Sequence, residues 1–325
     1  MDALLVISGS ALILITLVDF LFTTLSCNGS GFISTTTNRV LDLLLLPRFK
    51  IVRDWSGVIH LTGTLLVWVV LLVLGGWLVF SSHPDMVINS TTKLAANAGE
   101  RAYYTAFVFS TLGIGDYVPG SSLSRHVTAV YSVLGFGVLT TAITYILSVT
   151  GAATKKKNLA TFISSMGDNP TDLYAYFTTE PDGSFFTERI DDLVTQLNQH
   201  INDHLCYPIV HYFHSDKRPW SAIVQLSSLY ECLLALRIRY ADDPGVLTHT
   251  RRVERCIDRF LELARVPARL RRTDDDTLVN IRREWRGELL GPLIGDTAHS
   301  EESRSFGALL RQAGHDWKSV FERDG

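Results

Sequence analysis

The chain is predicted to be an all-α membrane protein, with three transmembrane helices followed by a cytosolic helical domain. Three observations carry that prediction. Residues 3–26, 57–80 and 127–150 are apolar stretches of 24 residues each, about 36 Å as helix and long enough to cross a bilayer. Charge is unevenly spread: residues 1–150 hold seven Lys or Arg and seven Asp or Glu, and the remaining 23 and 26 follow in residues 151–325. Beyond residue 155 the apolar residues recur at helical spacing, with no strand run of period two. The natural division is residues 1–56 as first span and linker, 57–154 as a two-span module, and 155–325 as a cytosolic helical domain.

Composition excludes several classes. A net charge of −3 gives no basic surface for nucleic acid. Cys27, Cys206, Cys232 and Cys256 show neither paired spacing nor Cys-x-x-Cys, which argues against disulfides and zinc clusters. No Gly-rich phosphate loop or nucleophile elbow appears, so neither an enzyme nor an organic cofactor is indicated.

The first span lacks a basic leading region and an Ala-x-Ala cleavage site, and its apolar run is too long for a signal peptide. Asp19, its one acid, is expected to make a structural pairing with Arg39, Arg53 or His60. Residues 39–53, with Leu43–Leu46 between the charges, read as an interfacial helix on the inner leaflet. Basic residues set the orientation. Arg39, Arg48, Lys50 and Arg53 follow the first span and Lys155–Lys157 follow the third, whereas Lys93 and Arg101 alone lie between the second span and residue 110. Positive-inside then puts residue 1 outside and residues 151–325 in the cytosol of a multi-pass cell-membrane protein. No span has arginine at every third position, so no voltage-sensor helix is expected.

Between the second and third spans, Arg101–Ser110 reads as a short apolar helix entering from outside, followed by Ser-Thr-Leu-Gly-Ile-Gly-Asp-Tyr-Val-Pro at 110–119. Gly113 and Gly115 accept positive φ at little steric cost, which suits a backbone that turns successive carbonyls toward one axis. Leu112 and Ile114 are expected to point back into protein. The stretch Thr111-Leu112-Gly113-Ile114-Gly115 resembles the Thr-Val-Gly-Tyr-Gly filter of potassium channels, whose carbonyls replace the hydration shell of K⁺. Residues 110–120 look like the second pore loop of two-pore-domain potassium channels of the weakly inward-rectifying type. This chain departs from that family in having a single pore loop. As a whole it is similar to uncharacterised bacterial single-pore channel proteins.

The resemblance implies a re-entrant pore helix and filter loop, with K⁺ held at Thr111, Leu112, Gly113, Ile114 and Gly115. It also implies that Asp116, Tyr103 and Tyr104 support the filter, one phenol bonding near Asp116. Ile114 lacks the hydroxyl that ties most such filters to the pore helix, so a looser filter is expected. One chain supplies one filter strand and the ion needs carbonyls from four sides, so a homotetramer in the lipid bilayer is expected. In the third span Gly135 and Gly137 are candidates for a hinge or for small-residue packing. Two readings compete with a potassium-selective channel regulated by its cytosolic domain. One is a weakly selective monovalent cation channel, the other a membrane-anchored sensor with a vestigial pore.

The cytosolic domain shows five apolar stripes: Ile190–Leu205, Leu226–Leu236, Val253–Leu261, Leu278–Leu289 and Phe306–Val320. Breaks fall at Pro208, Pro219, residues 243–245, Pro267 and residues 291–292. His200 and His204 stand i, i+4 and in that spacing can hold zinc, but His204 falls on the apolar stripe and reads better as a satisfied core histidine. Arginines from 251 to 272 interleave with Glu254, Asp258 and Glu262 and read as an ion-paired, solvated face. Asp274–Asp276 read as the approach to a helix N-terminus. No motif identifies a regulatory ligand.

Overall fold

The structure is a computed structural model that describes residues 2–45, 55–180, 182–264, 278, 280–282, 284–285 and 301–322. Contacts divide these into two compact units, one from residues 2–45 and 58–149, the other from residues 55–57 and 150 onward. The fold is all-α. Among the described residues three helices are long and apolar enough to cross a membrane: α1 (Ala3–Leu25), α3 (Ser56–Phe80) and α5 (Ser122–Ser164). The short helices α2 (Phe32–Leu45) and α4 (Ala98–Phe109) lie between them in sequence.

Helix α5 differs from the expected 127–150. It runs unbroken for 43 residues, about 65 Å and roughly twice a hydrocarbon core. The Lys155–Lys157 run ends the apolar pattern, yet lysine is a good helix former, so the change in polarity does not end the helix.

Helix α2 begins at Phe32, well before the expected residue 39, and the rest of that expectation (46–53) lies outside the described residues. Asp19 explains the early start. Its buried carboxylate accepts the Ile33 N–H at 2.7 Å, the Ser34 N–H at 3.2 Å and the Ser34 hydroxyl at 2.6 Å. Those donors belong to the first turn of α2, where backbone N–H groups have no partner inside the helix and the dipole favours a negative charge. Trp68 of α3 adds its indole N–H at 2.9 Å. Among the described residues Asp19 is therefore held by a helix N-terminus and an indole, not by a cation. His60 instead lies 3.2 Å from Asp42, and Arg53 lies outside the described residues.

Asp19→Ala should cost about 3 kcal/mol, because several buried donors lose their acceptor at once. Asp19→Asn retains one carbonyl oxygen and should cost less. Thermal unfolding in detergent tests this, and equal losses for the two variants would refute it. Nearby, α1 and α3 approach until backbones nearly touch: a Cβ on Gly9 would sit 2.6 Å from the Gly75 carbonyl oxygen, the close packing that small residues permit in membranes.

The second unit contains α6 (Pro170–Phe177), α7 (Ser184–Cys206), α8 (Ala222–Arg239), α9 (Pro244–Ala264), α10 (Glu301–Ala313) and α11 (Trp317–Phe321). Its centre is α8, packed against α6, α9, α10 and α11. Sequence periodicity marks one stripe on α8, but from Ala222 to Leu233 the helix is buried on all sides, Gln225, Ser227, Ser228 and Glu231 included. Glu231 receives Arg282, whose Nε donates at 2.7 Å and whose Nη2 donates to the second carboxylate oxygen and, at 2.9 Å, to Ser303.

The described ion pairs of α9 run to other helices. Arg252 reaches Asp191 of α7 at 2.8 Å, and Glu254 accepts from Arg237 of α8 at 3.1 Å. These pairs link neighbouring helices rather than successive turns of α9. Leu289, the arginines at 265, 269, 271 and 272, residues 274–276, and the breaks at 267 and 291–292 lie outside the described residues.

Candidate functional site

The segment between α3 and α5 is built around α4. Asn97 caps it: the Asn97 side chain accepts the Glu100 N–H at 3.0 Å, and Glu100 accepts the Asn97 N–H at 2.7 Å. This reciprocal box starts the helix three residues before the expected Arg101. The Asn-x-x-Glu spacing at 97–100 was the signal for it in the sequence. Arg101 fastens the same end, donating to the carbonyls of Ala96 at 2.9 Å and Phe80 at 3.3 Å. Tyr104, Phe107, Val108 and Phe109 bury the helix against its surroundings.

At its C-terminal end α4 turns directly into the Thr-Leu-Gly-Ile-Gly loop. The N–H groups of Thr111 and Leu112 bond back to the carbonyls of Val108 (3.1 Å) and Phe107 (2.9 Å). The backbone then alternates in hand: φ is +59° at Thr111, +61° at Gly113 and +87° at Gly115, while Leu112 and Ile114 keep negative φ. Alternation stops the chain winding into either helix and allows successive carbonyls to gather on one side. Two of the three positive-φ positions are glycines and bear it cheaply. Thr111 does not: a β-branched residue there is strained by about 1–2 kcal/mol. Nothing in the sequence signals that strain, because threonine is among the residues least suited to the conformation.

The far end of the loop is fixed by a two-stranded antiparallel pairing of β1 (Ile88–Asn89) with β2 (Tyr117–Val118). The carbonyl of Asp116 accepts the Ser90 N–H at 2.8 Å, and its carboxylate accepts the Tyr117 N–H at 3.0 Å. Of the two tyrosines, Tyr103 sets its ring edge-on to Phe107 at 5.2 Å and to Tyr117 at 6.2 Å. Tyr104 bonds to Thr128 of α5 at 2.6 Å, its ring set edge-on to Phe80 at 5.1 Å.

Leu112 and Ile114 depart from expectation. They are 67% and 49% exposed, so a single chain does not bury the residues expected to point back into it. Beside the loop lies a hollow of about 260 Å³, bordered by Tyr104, Thr111, Gly113, Tyr117 and Thr128. Gly135 of α5 sits where a Cβ would come within 2.0 Å of the Phe109 carbonyl oxygen, whereas Gly137 has nothing near its Cβ direction. Gly135 is thus a packing position beneath the end of α4, and Gly137 has room around it.

His200 and His204 do come together, ring centroids 5.7 Å apart. Among the described residues no group of three or more His, Cys, Asp or Glu is arranged to hold a metal ion. His204, read as a satisfied core histidine, is buried but its Nδ1 has no partner, and neither ring nitrogen of the buried His200 has one among the described residues.

A short helix aimed at a loop of alternating hand, between two membrane helices, defines a pore-loop membrane protein. Residues 64–151, the stretch that holds α4 and the loop, match the ion channel family. Among curated proteins the chain is similar to "Uncharacterized membrane protein YdjJ" of Bacillus subtilis (strain 168), 29% identical over 236 residues that cover 70% of this chain and 68% of the relative. No solved structure gives a significant match.

Proposed function

We propose that the protein is a potassium-selective channel in which four copies surround one axis and each contributes Thr111–Gly115 to a shared filter. The observation that carries this reading is the alternating backbone at Thr111, Gly113 and Gly115, set between the end of α4 and a braced Asp116. K⁺ is the cargo, and stripped of water it needs a cage of carbonyl oxygens from all sides. The C-terminal end of α4 presents the negative end of its dipole to such an ion. The exposure of Leu112 and Ile114, together with that of Val133, Phe136, Ile143 and Leu147 along α5, fits a chain completed by lipid and by further copies of itself. In this reading residue 1 faces outside, the second unit lies in the cytosol and regulates opening, and the chain has no enzymatic role.

The test is K⁺ flux into proteoliposomes together with particle images in detergent. Four-fold particles and a K⁺ current that survives replacement of external anions are expected. A stable dimer without a four-fold pore would refute the assembly, and intact four-fold particles without flux would favour a sensor with a vestigial pore.

A weakly selective cation pore is the second reading, and Ile114 favours it. With no hydroxyl, this side chain cannot brace the loop as a tyrosine would. Ile114→Tyr should therefore raise the K⁺/Na⁺ permeability ratio, read from reversal potentials in mixed K⁺ and Na⁺. The larger ring must fit behind the loop, where misfit costs about 1–3 kcal/mol. The hollow next to Tyr104 and Tyr117 offers it space. An unchanged ratio in an assembled variant would show that Ile114 does not limit selectivity.

A further inference from the structure

The second unit holds a cavity of about 300 Å³ whose lining, among the described residues, carries basic and hydroxyl groups but no Asp or Glu. Lys156 and Lys157 come from the last turns of α5, His200 and His204 from α7, and Trp220 and Phe260 supply aromatic walls. Lys156 donates to the backbone carbonyls of Val210 at 3.0 Å and His211 at 3.3 Å, so two of its three protons are engaged and no carboxylate answers its charge in the lining. Lys155, its neighbour, turns instead to Asp203 at 3.6 Å.

Among the described residues His200, 3% exposed, has no partner for either ring nitrogen, and His204, 4% exposed, has none for Nδ1. Buried polar atoms are almost always bonded, so each exception asks what completes it. A metal ion does not: the described residues offer no group of three or more suitable ligands. The electrostatics agree with the geometry. Burial lowers Lys156 to about 7 and His200 to about 3, and the neighbouring cations push in the same direction on His200. An anion in the cavity would reverse both effects.

The aromatic side of the cavity suits a flat body. Phe260 lies 5.0 Å from the His200 ring and 5.4 Å from the His204 ring. Trp220 has the ammonium groups of Lys157 and Lys217 against its face at 5.1 and 4.7 Å. The volume is at the lower end of small-molecule sites, room for one ring and one charged group.

We infer that this cavity is a binding site for a small soluble organic anion, whose carboxylate or phosphate is held by Lys156 and His200 and whose flat body lies against Phe260 and Trp220. The site stands independently of the potassium reading, because the measurement below involves no ion flux.

Isothermal titration of the full-length protein in detergent with phenyl phosphate and with benzoate tests it, with benzyl alcohol as the uncharged match. At least one of the two anions should bind saturably, one per chain, with Kd below about 1 mM, and benzyl alcohol should not. Lys156→Met and His200→Leu should each weaken that binding by about tenfold or more. His200→Leu removes an unbonded polar group from the interior, so its fold is expected to hold, and thermal melting of each variant checks this. Absence of saturable binding by both anions to the unaltered protein would overturn the site. So would equal binding of benzyl alcohol, or undiminished anion binding in a folded His200→Leu variant.

Discussion

Gly113→Ala is expected to abolish K⁺ flux while leaving the oligomer assembled. Gly113 has φ of +61°, and a Cβ built there meets nothing within 4 Å. Steric crowding inside the chain is therefore not the obstacle. The obstacle is the backbone: an L-residue held at positive φ costs about 1–2 kcal/mol, and four chains would bear it around one axis. Thr111 already carries such strain two residues earlier, so the loop has little reserve. Relaxing the substituted position to negative φ would break the alternation and turn a carbonyl away from the axis, and the loss from four strands together exceeds what any single contact restores. The methyl group touches no packing of α3, α4 or α5 within the chain, so the proposed tetramer should still assemble. Single-channel recording and native mass measurement of the variant decide it. Unchanged K⁺ conductance would mean that the Thr111–Gly115 segment is not the filter, whereas loss of the oligomer would place Gly113 in the assembly itself.

Glu231→Ala should be the most destabilising single change in the second unit, costing about 3–5 kcal/mol. Glu231 is fully buried at the centre of α8, and Arg282, 2% exposed, engages both of its carboxylate oxygens. Removal of the acid leaves a guanidinium in the interior with Ser303 as its remaining hydrogen-bond acceptor among the described contacts. The effect comes from the uncompensated charge and not from the net worth of the pair. Glu231→Leu combined with Arg282→Met should consequently recover most of the loss, since neither charge then requires solvation. Denaturant unfolding of the full chain, followed by tryptophan fluorescence, measures both. A double variant as unstable as Glu231→Ala would show that the pair contributes through its geometry.

Much of the architecture is legible in the sequence, for reasons that differ by segment. Three spans follow from hydropathy because a backbone in lipid must satisfy its own hydrogen bonds, which leaves a long apolar stretch few options besides a helix. The loop at 111–116 is legible because glycine spacing reports backbone conformation directly. The stripes of α7 and α9 report one buried face each, and that is all periodicity can report.

What tertiary structure decided concerns partners. Asp19 was legible as a buried acid in need of compensation, but its partners are the first turn of α2 and Trp68, 49 residues away. Glu231 and Arg282 meet across 51 residues, and nothing in either local sequence names the other. Burial on every side of α8 from Ala222 to Leu233 arises from helices contributed by distant parts of the chain. Positive φ at Thr111 runs against its own local preference and persists because α4 and the β1–β2 pairing hold both ends of the loop. Local composition thus set which segments are helical, which cross the membrane and where the backbone must bend. The pairing of charges, the Asp19 cap on α2 and the lining of the cavity depend on contacts between residues apart in sequence, whose energies appear once the chain has closed upon itself.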